Sequence, residues 1–338
     1  MTQLATNNTL DFAQVTQNLQ KVKACLSDCI LGQDALIEGL LVALFAGGHV
    51  LLEGLPGLGK THLAKALARV LALDLQRVQC TPDLMPSDIT GSEVLQQVGE
   101  GEQEFIFRPG PLFANLVLVD EINRATPKTQ SALLEAMQER QVTYMGKRYI
   151  LPDPFWVIAT QNPIELEGTY PLPEAQLDRF LVKLQIQLPD EQALQGMLDI
   201  ALDEEPSDLL SPLLDVKAIE HIRSAAKQVI LTEHLKQAAV RLILSTHPEH
   251  ELAVAEARQH VRYGASPRGL QALVRAGRIR ALMDGRTHVA VADLEALALP
   301  VLRHRVMLNI DSELNGYTLD QVLASVVEAW SCSLKIVR

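Results

Sequence analysis

Basic side chains are in short supply: 30 lysines and arginines face 41 aspartates and glutamates, a formal net charge of −11 at pH 7. That balance excludes a surface serving as a whole as a nucleic-acid or anionic-membrane footprint. Aromatic residues make up only 4% of the chain, so the core must be aliphatic. Four cysteines (Cys25, Cys29, Cys80 and Cys332) are too few and too scattered for a disulfide framework. Without a Cys-x-x-Cys or Cys/His spacing they also exclude a zinc module. The longest apolar run, Leu40 to Ala46, falls far short of the ~20 residues that span a bilayer. The opening residues lack a basic stretch followed by an apolar one, so no secretory signal is read and a cytoplasmic protein is expected. Repeats and low-complexity tracts are missing too, and 48% hydrophobic with 21% charged residues excludes collagen-like, coiled-coil and wholly disordered chains.

What is present has a clear order. A length of 338 residues allows one large or two medium domains at ~150 residues each. Charge divides the chain near residue 216: residues 1–216 carry a net −15, residues 217–305 a net +6, and the remainder −2. The two larger parts are expected to attract each other, within a subunit or between neighbours. Residues 12–46 have helical spacing, broken by Gly47-Gly48. Short apolar bursts then read as buried strands: His49 to Leu52, Leu75 to Gln79, Leu116 to Asp120, Trp156 to Thr160 and Phe180 to Gln187. Their alternation with helical sequence indicates a parallel sheet covered on both faces. Two period-2 segments read as β-hairpins, Glu93 to Gln96 with Glu104 to Phe107 around Gly99-Glu100-Gly101, and Gln141 to Tyr144 with Arg148 to Leu151 around Gly146. Each is either a solvated excursion or a working contact element. Beyond Pro189-Asp190 the strands are expected to stop, an acidic connection Asp203 to Asp208 follows, and residues 217–305 read as helical. Thr318-Leu319-Asp320-Gln321 fits a capping box opening a last helix.

Chemistry concentrates after the first burst. Gly54-Leu55-Pro56-Gly57-Leu58-Gly59-Lys60-Thr61 fits G-x-x-x-x-G-K-[ST] between a strand and the helix His62 to Leu71. Backbone N–H groups of such a loop wrap a β-phosphate, Lys60 reaches the β- and γ-phosphates, and the Thr61 hydroxyl suits Mg²⁺. Leu116 to Val119 then delivers two acids to a strand tip: Asp120 to hold hydrated Mg²⁺, and Glu121 to polarise the water that attacks the γ-phosphate. Asn162, at the tip of the next strand, can hydrogen-bond that water or the γ-phosphate; it can equally be a turn-forming Asn before Pro163. Two arginines remain to neutralise transition-state charge. Arg179 precedes the fifth strand; Arg268 follows Ser266-Pro267, read as N-cap and first-turn proline of a helix. A cation in a first turn opposes the helix dipole unless an anion lies near, which makes a phosphate partner for Arg268 attractive.

In this order the residues resemble the AAA+ ATPases, specifically the MoxR family. Thr81 to Gly91, Asp120 to Arg124, Gln130 to Met137, Ala159 to Pro163 and Glu167 to Phe180 all look like MoxR blocks, and the resemblance covers about residues 12–310. It implies Walker A at Gly54 to Thr61, with His62 beside the nucleotide, Walker B at Leu116 to Glu121, sensor 1 at Asn162, an arginine finger at Arg179 and sensor 2 at Arg268. It further implies Leu31-Gly32-Gln33 near the adenine. The implied architecture is α/β: an AAA+ P-loop core over residues 1–189 with a five-stranded parallel sheet and two β-hairpin inserts, the helix-2 insert (about 88–107) and the presensor-1 hairpin (about 141–151). Residues 190–216 would be a linker with the first lid helix, 217–310 an α-helical lid, and 311–338 a C-terminal helix. The implied activity is Mg²⁺-dependent ATP hydrolysis in a homo-oligomeric ring, a hexamer, that remodels client protein complexes beside a von Willebrand factor A partner.

Other functions share parts of this set. A nucleic-acid motor of the same clade finds a foothold in the basic lid, yet no helix-turn-helix, zinc motif or OB-type domain is evident. A sigma-54-type activator is disfavoured by the missing GAFTGA loop. A chelatase-type motor for metal insertion stays open, since the motor alone does not discriminate. A nucleotide-gated scaffold with little turnover would have no use for Glu121, Asn162 and Arg179 together.

Overall fold

The computed structural model describes residues 11–97, 103–163, 168–199 and 210–336. The expected hairpin tip at Gly99 to Gly101, Glu167, the acidic connection Asp203 to Asp208 and the opening residues lie outside the described residues. Two helices come first, α1 (Phe12–Cys29) and α2 (Asp34–Phe45). The Asp11 carboxylate caps α1 by accepting from the N–H groups of Ala13 and Gln14. Val15, Leu19, Val22 and Leu26 then recur at helical spacing and are buried.

The core alternates strands and helices: β1 (Val50–Glu53), α3 (Lys60–Val70), β2 (Leu75–Gln79), α4 (Pro86–Thr90), β3 (Gly91–Gln97), β4 (Gln103–Pro109), β5 (Leu116–Asp120), α5 (Pro127–Glu139), β6 (Gln141–Tyr144), β7 (Lys147–Ile150), β8 (Trp156–Gln161), α6 (Glu174–Leu177) and β9 (Val182–Gln185). Five strands form one parallel sheet in the order β2-β5-β8-β1-β9. The central strands read as unbroken apolar runs because both faces are covered; every residue of β5 is buried. β1 is inserted between β8 and β9 although β2 lies at the far edge, and the carboxyl end of such a strand is where open α/β sheets bind ligands.

The two hairpins stand outside this sheet. β3 and β4 pair antiparallel from Gly91 with Pro109 to Gln97 with Gln103, and β6 and β7 turn at Met145 and Gly146, both at positive φ. That double left-handed turn is the geometry a two-residue hairpin favours. Phe107 of the first hairpin stacks on Tyr149 of the second, ring centroids 3.9 Å apart.

Helices dominate the rest: α7 (Glu191–Asp199), α8 (Val216–Gln228), α9 (Glu233–Ser245), α10 (Ala255–His260), α11 (Pro267–Met283), α12 (Val291–Leu302), α13 (Ile310–Leu314) and α14 (Leu319–Ile336). Three expectations need correction. Strands do not end at residue 190, because β10 (Val261–Tyr263) and β11 (Met307–Leu308) pair antiparallel; segments of three and two residues are too short to show a period. The fifth core strand does not begin at Phe180, whose carbonyl is bonded to α12-end side chains instead of a strand. The C-terminal stretch holds α13 as well as α14. The capping box at Thr318 is formed, Thr318 N–H to Gln321 Oε1 at 3.1 Å and Gln321 N–H to the Thr318 hydroxyl at 3.4 Å.

One apolar cluster runs through both parts, from Leu40 and Leu67 to Ala276 and Leu294. Charges join them as well: Arg280 of α11 binds Glu38 of α2 at 3.2 Å and the fully buried Asp293 at 3.0 Å, and Arg223 binds Asp153 at 3.1 Å. The attraction expected between the acidic and basic parts is thus realised within the subunit. No helix among the described residues is long and apolar enough to cross a membrane.

Candidate active site

The loop after β1 turns back sharply because Gly57 and Gly59 adopt φ of 81° and 77°, where a side chain would be strained. Gly54 is needed for a different reason, since a Cβ there would sit 2.9 Å from that of Ile186. Gly59 occupies the N-cap of α3, and first-turn N–H groups have no intrahelical partner. They open on a cavity of about 380 Å³ lined by Pro56, Gly57, Gly59, Lys60, Thr61 and His62 on one side and by Asp120, Glu121, Thr160 and Asn162 on the other. Leu58 points elsewhere and packs against the apolar core. The Lys60 ammonium donates to the Gly54 carbonyl at 2.5 Å; burial draws it below its ordinary value, and Asp120, Glu121 and Glu53 oppose that shift.

Both acids arrive at the tip of β5. Asp120 ends β5 and is buried, while Glu121 sits in the left-handed region at φ 56° and ψ 52°. Such a conformation in a non-glycine residue is costly and concentrates at functional sites. The Thr160 hydroxyl of β8 donates to Asp120 Oδ1 at 3.3 Å and accepts from the Glu121 N–H at 2.9 Å, so one side chain fixes both acids.

Three contributors escaped the sequence reading. Thr160 is one. Arg77 and Gln79 of β2 are the others: Arg77 Nε donates to Asp120 Oδ2 at 2.7 Å, and Gln79 Nε2 donates to Glu121 Oε2 at 3.0 Å. The available signal was that alternate residues of a strand share a face, and that the neighbouring strand ends in the two acids. Cys80 beside them is no nucleophile, because burial pushes its thiol up to about 12, with Asp120 and Glu121 adding to the effect.

Not every expected residue reaches this cavity. Gly32 and Gln33 line a separate space of about 580 Å³ between α2 and α12, where Gln33 Nε2 donates to the Gln187 carbonyl at 2.8 Å. His62 lines the phosphate-loop cavity, its Nε2 lying 3.4 Å from Cys29 Sγ at the end of α1. Arg179 and Arg268 lie together in a third cavity of about 300 Å³, beside Gly47 to His49. Those residues precede β1 whereas the phosphate loop follows it, so the arginines sit at the opposite, amino end of the parallel strands, on the order of 15 Å away at ~3.3 Å per strand residue. Ser266 occupies the N-cap of α11 as expected, with Pro267 in the first turn, but its hydroxyl makes no capping bond and instead donates to both carboxylate oxygens of Asp178 at 3.1 Å. The anion facing Arg268 is that same carboxylate, 3.7 Å away.

Comparison with known proteins agrees with this geometry. Residues 49–182 match the family described as "ATPase family associated with various cellular activities (AAA)", and residues 254–324 match "AAA lid domain". The chain is 40% identical over 300 residues to "Chaperone MoxR1" of Mycobacterium tuberculosis, covering 88% of this chain and 78% of that one. It is 34% identical over 300 residues to "Protein MoxR" of Methylorubrum extorquens, covering 84% and 85%. It is 42% identical over 292 residues to an uncharacterized protein, YeaC, of Bacillus subtilis, covering 86% and 87%. A crystal structure of a putative ATPase from Cytophaga hutchinsonii superposes with a TM-score of 0.85 at 34% identity, covering 94% of this chain and 95% of that one. A phosphate loop facing paired acids on a five-stranded parallel sheet, a helical lid and these relatives lead to one conclusion: the chain belongs to the MoxR family of AAA+ ATPases.

Proposed function

We propose that this ATPase hydrolyses ATP to ADP and phosphate in a homo-oligomeric ring, a hexamer, and uses the cycle to remodel client protein complexes beside a von Willebrand factor A partner. The observation that carries the reading is the division of the candidate residues over the two ends of one set of parallel strands. Lys60, Thr61, Asp120, Glu121 and Asn162 share the phosphate-loop cavity, while Arg179 and Arg268 line another. A ring would bring the arginine-bearing surface of one subunit against the phosphate loop of the next, so each nucleotide would receive its arginines from a neighbour. On this reading Arg268, like Arg179, acts in trans.

Each residue then has a task. Lys60 and the first turn of α3 hold the β- and γ-phosphates. Thr61 and Asp120 offer hard oxygen donors that fit Mg²⁺, an ion that would neutralise phosphate charge when bound. Glu121 accepts a proton from the attacking water, Asn162 orients that water, and Arg179 offsets charge on the equatorial oxygens, a contribution worth ~10³ to 10⁵ in rate in other NTPases. Gly32 and Gln33 would flank the adenine. The chaperone name of the mycobacterial relative supports the client reading, as do apolar side chains held out on the hairpins: Phe105 is 66% exposed, Met145 77% and Ile150 80%.

The test separates binding from turnover. Glu121→Gln should keep its affinity for ATP and lose ~10²-fold or more in phosphate release, whereas Lys60→Ala should lose binding itself. Undiminished hydrolysis in the Gln variant would remove Glu121 from its role, and unaltered ATP affinity in the Ala variant would remove the phosphate loop.

A further inference from the structure

Asp178, the residue before Arg179, is surrounded by the lid. The Arg305 guanidinium, nearly fully buried, donates through Nε to Asp178 Oδ1 at 2.7 Å. Its Nη2 donates to the carbonyls of Phe180 at 2.6 Å and Asp178 at 3.2 Å, and its Nη1 to those of Leu181 at 3.0 Å and Val301 at 2.6 Å. A single side chain thus holds the backbone on both sides of Arg179. The Ser266-Pro267-Arg268-Gly269 turn serves the same carboxylate. The Ser266 hydroxyl donates to Asp178, Arg268 lies 3.7 Å from it, and Gly269 leaves room for Arg305, since a Cβ there would sit 3.0 Å from Arg305 Cδ. His304 adds a contact through Nε2 to the Phe180 carbonyl at 3.0 Å.

We infer that Asp178 and Arg305 form a buried latch through which the lid of a subunit sets the position of the arginines that subunit lends to its neighbour. Neither latch residue touches nucleotide; both are positioning residues. The physical case is one of preorganisation. A guanidinium acting on a neighbour's phosphate must be held to within a fraction of an ångström, and a 1 Å misplacement can cost ~10²-fold in rate. Four bonds from a rigid fork engage the segment that carries Arg179 while a fifth ties the same guanidinium to the Val301 carbonyl of α12, and together they supply that constraint; a lysine has no such fork. Because α11 and α12 belong to the lid, any lid rotation would move the lent arginines with it. The inference rests on the proposal that Arg179 acts in trans.

Mixed rings test it. A donor carrying Lys60→Ala cannot hold ATP but can lend its arginines. An acceptor carrying Arg179→Ala and Arg268→Ala can hold ATP but lends nothing. Each alone should be inactive, and mixing should restore hydrolysis; no restoration would overturn the trans reading itself rather than the latch. Adding Arg305→Gln to the donor should lower the restored rate ~10-fold or more, with Arg305→Lys giving little rescue. Adding Arg305→Gln to the acceptor should leave ATP affinity and the restored rate unchanged, a contrast that a generally misfolded variant would not give. Where the Gln variant does not fold, Ser266→Ala in the donor removes one hydroxyl from the same carboxylate and should lower the restored rate a few-fold without altering assembly. A donor with either substitution that lends as well as Lys60→Ala alone overturns the latch.

Discussion

His49 shows how a single side chain at the amino end of the strands is tied to proton concentration. Its Nδ1 accepts from the Val157 N–H at 3.0 Å and its Nε2 donates to the Met137 carbonyl at 3.1 Å, so the fold requires the neutral ring. Burial pulls the imidazole down to about 4, and the nearby Arg140, Arg223 and Arg275 add to the shift against the Met137 hydrogen bond. In the unfolded chain the same ring takes up a proton near pH 6.5. Between these values the unfolded state binds more protons than the folded one, so stability should fall as pH drops from about 6.5 to about 4, by about 3 kcal/mol. Urea unfolding at a series of pH values would check this, with the slope reduced in His49→Gln, which retains a donor and an acceptor. His304, also buried and held well below its ordinary value by burial and by Arg305, contributes in the same direction.

At the scale of elements, the hairpins raise the question of what holds them. An isolated two-stranded hairpin is marginal in water. Phe107 nevertheless ties β4 to β7 by stacking on Tyr149 and meets Phe113 edge-on at 5.8 Å, so the two inserts share one aromatic anchor. A double-mutant cycle of Phe107→Ala and Tyr149→Ala should return a coupling energy of about 1 kcal/mol, and additive effects would show that the inserts move independently. The Tyr149 contact could not be read from the chain, because partners some 40 residues apart carry no periodic signature. Strand placement was legible for the opposite reason: Leu116 to Asp120 occurs where its apolar pattern puts it, since burial on both faces leaves a short unbroken apolar run, while Leu75 to Gln79, an edge strand that buries only Val78, also forms where it was expected. The phosphate loop was legible because its glycines answer to backbone geometry. Arg77, Gln79 and Thr160 were not, since a polar residue in a strand announces a face and not a partner. Ser266 was legible as a helix opening because serine before proline is a common start, but its hydroxyl's partner was not, since that carboxylate lies 88 residues away.

For the whole molecule, the acids and bases that divide along the sequence are reunited by folding, through Arg280 with Glu38, Arg305 with Asp178 and Arg223 with Asp153. What folding leaves open is an arginine-rich concavity at the amino end of the strands and a phosphate loop at their carboxyl end. On the proposed trans arrangement such a subunit is a half-site facing two ways, and its activity should depend on how many copies meet. Phosphate release per subunit should therefore rise with protein concentration and then level off, while Arg179→Ala should stay near its dilute value throughout. A rate per subunit that is flat for the native chain would mean that one copy suffices.

The left-handed backbone at Glu121 has a consequence for the history of such a chain. That conformation costs about 1 kcal/mol for any residue with a Cβ and nothing for glycine. On the role proposed for Glu121, replacements that relax it would give a hardier fold with an idle engine, so selection for endurance alone would drift away from catalysis, and only continued demand for work would keep an acid at that position.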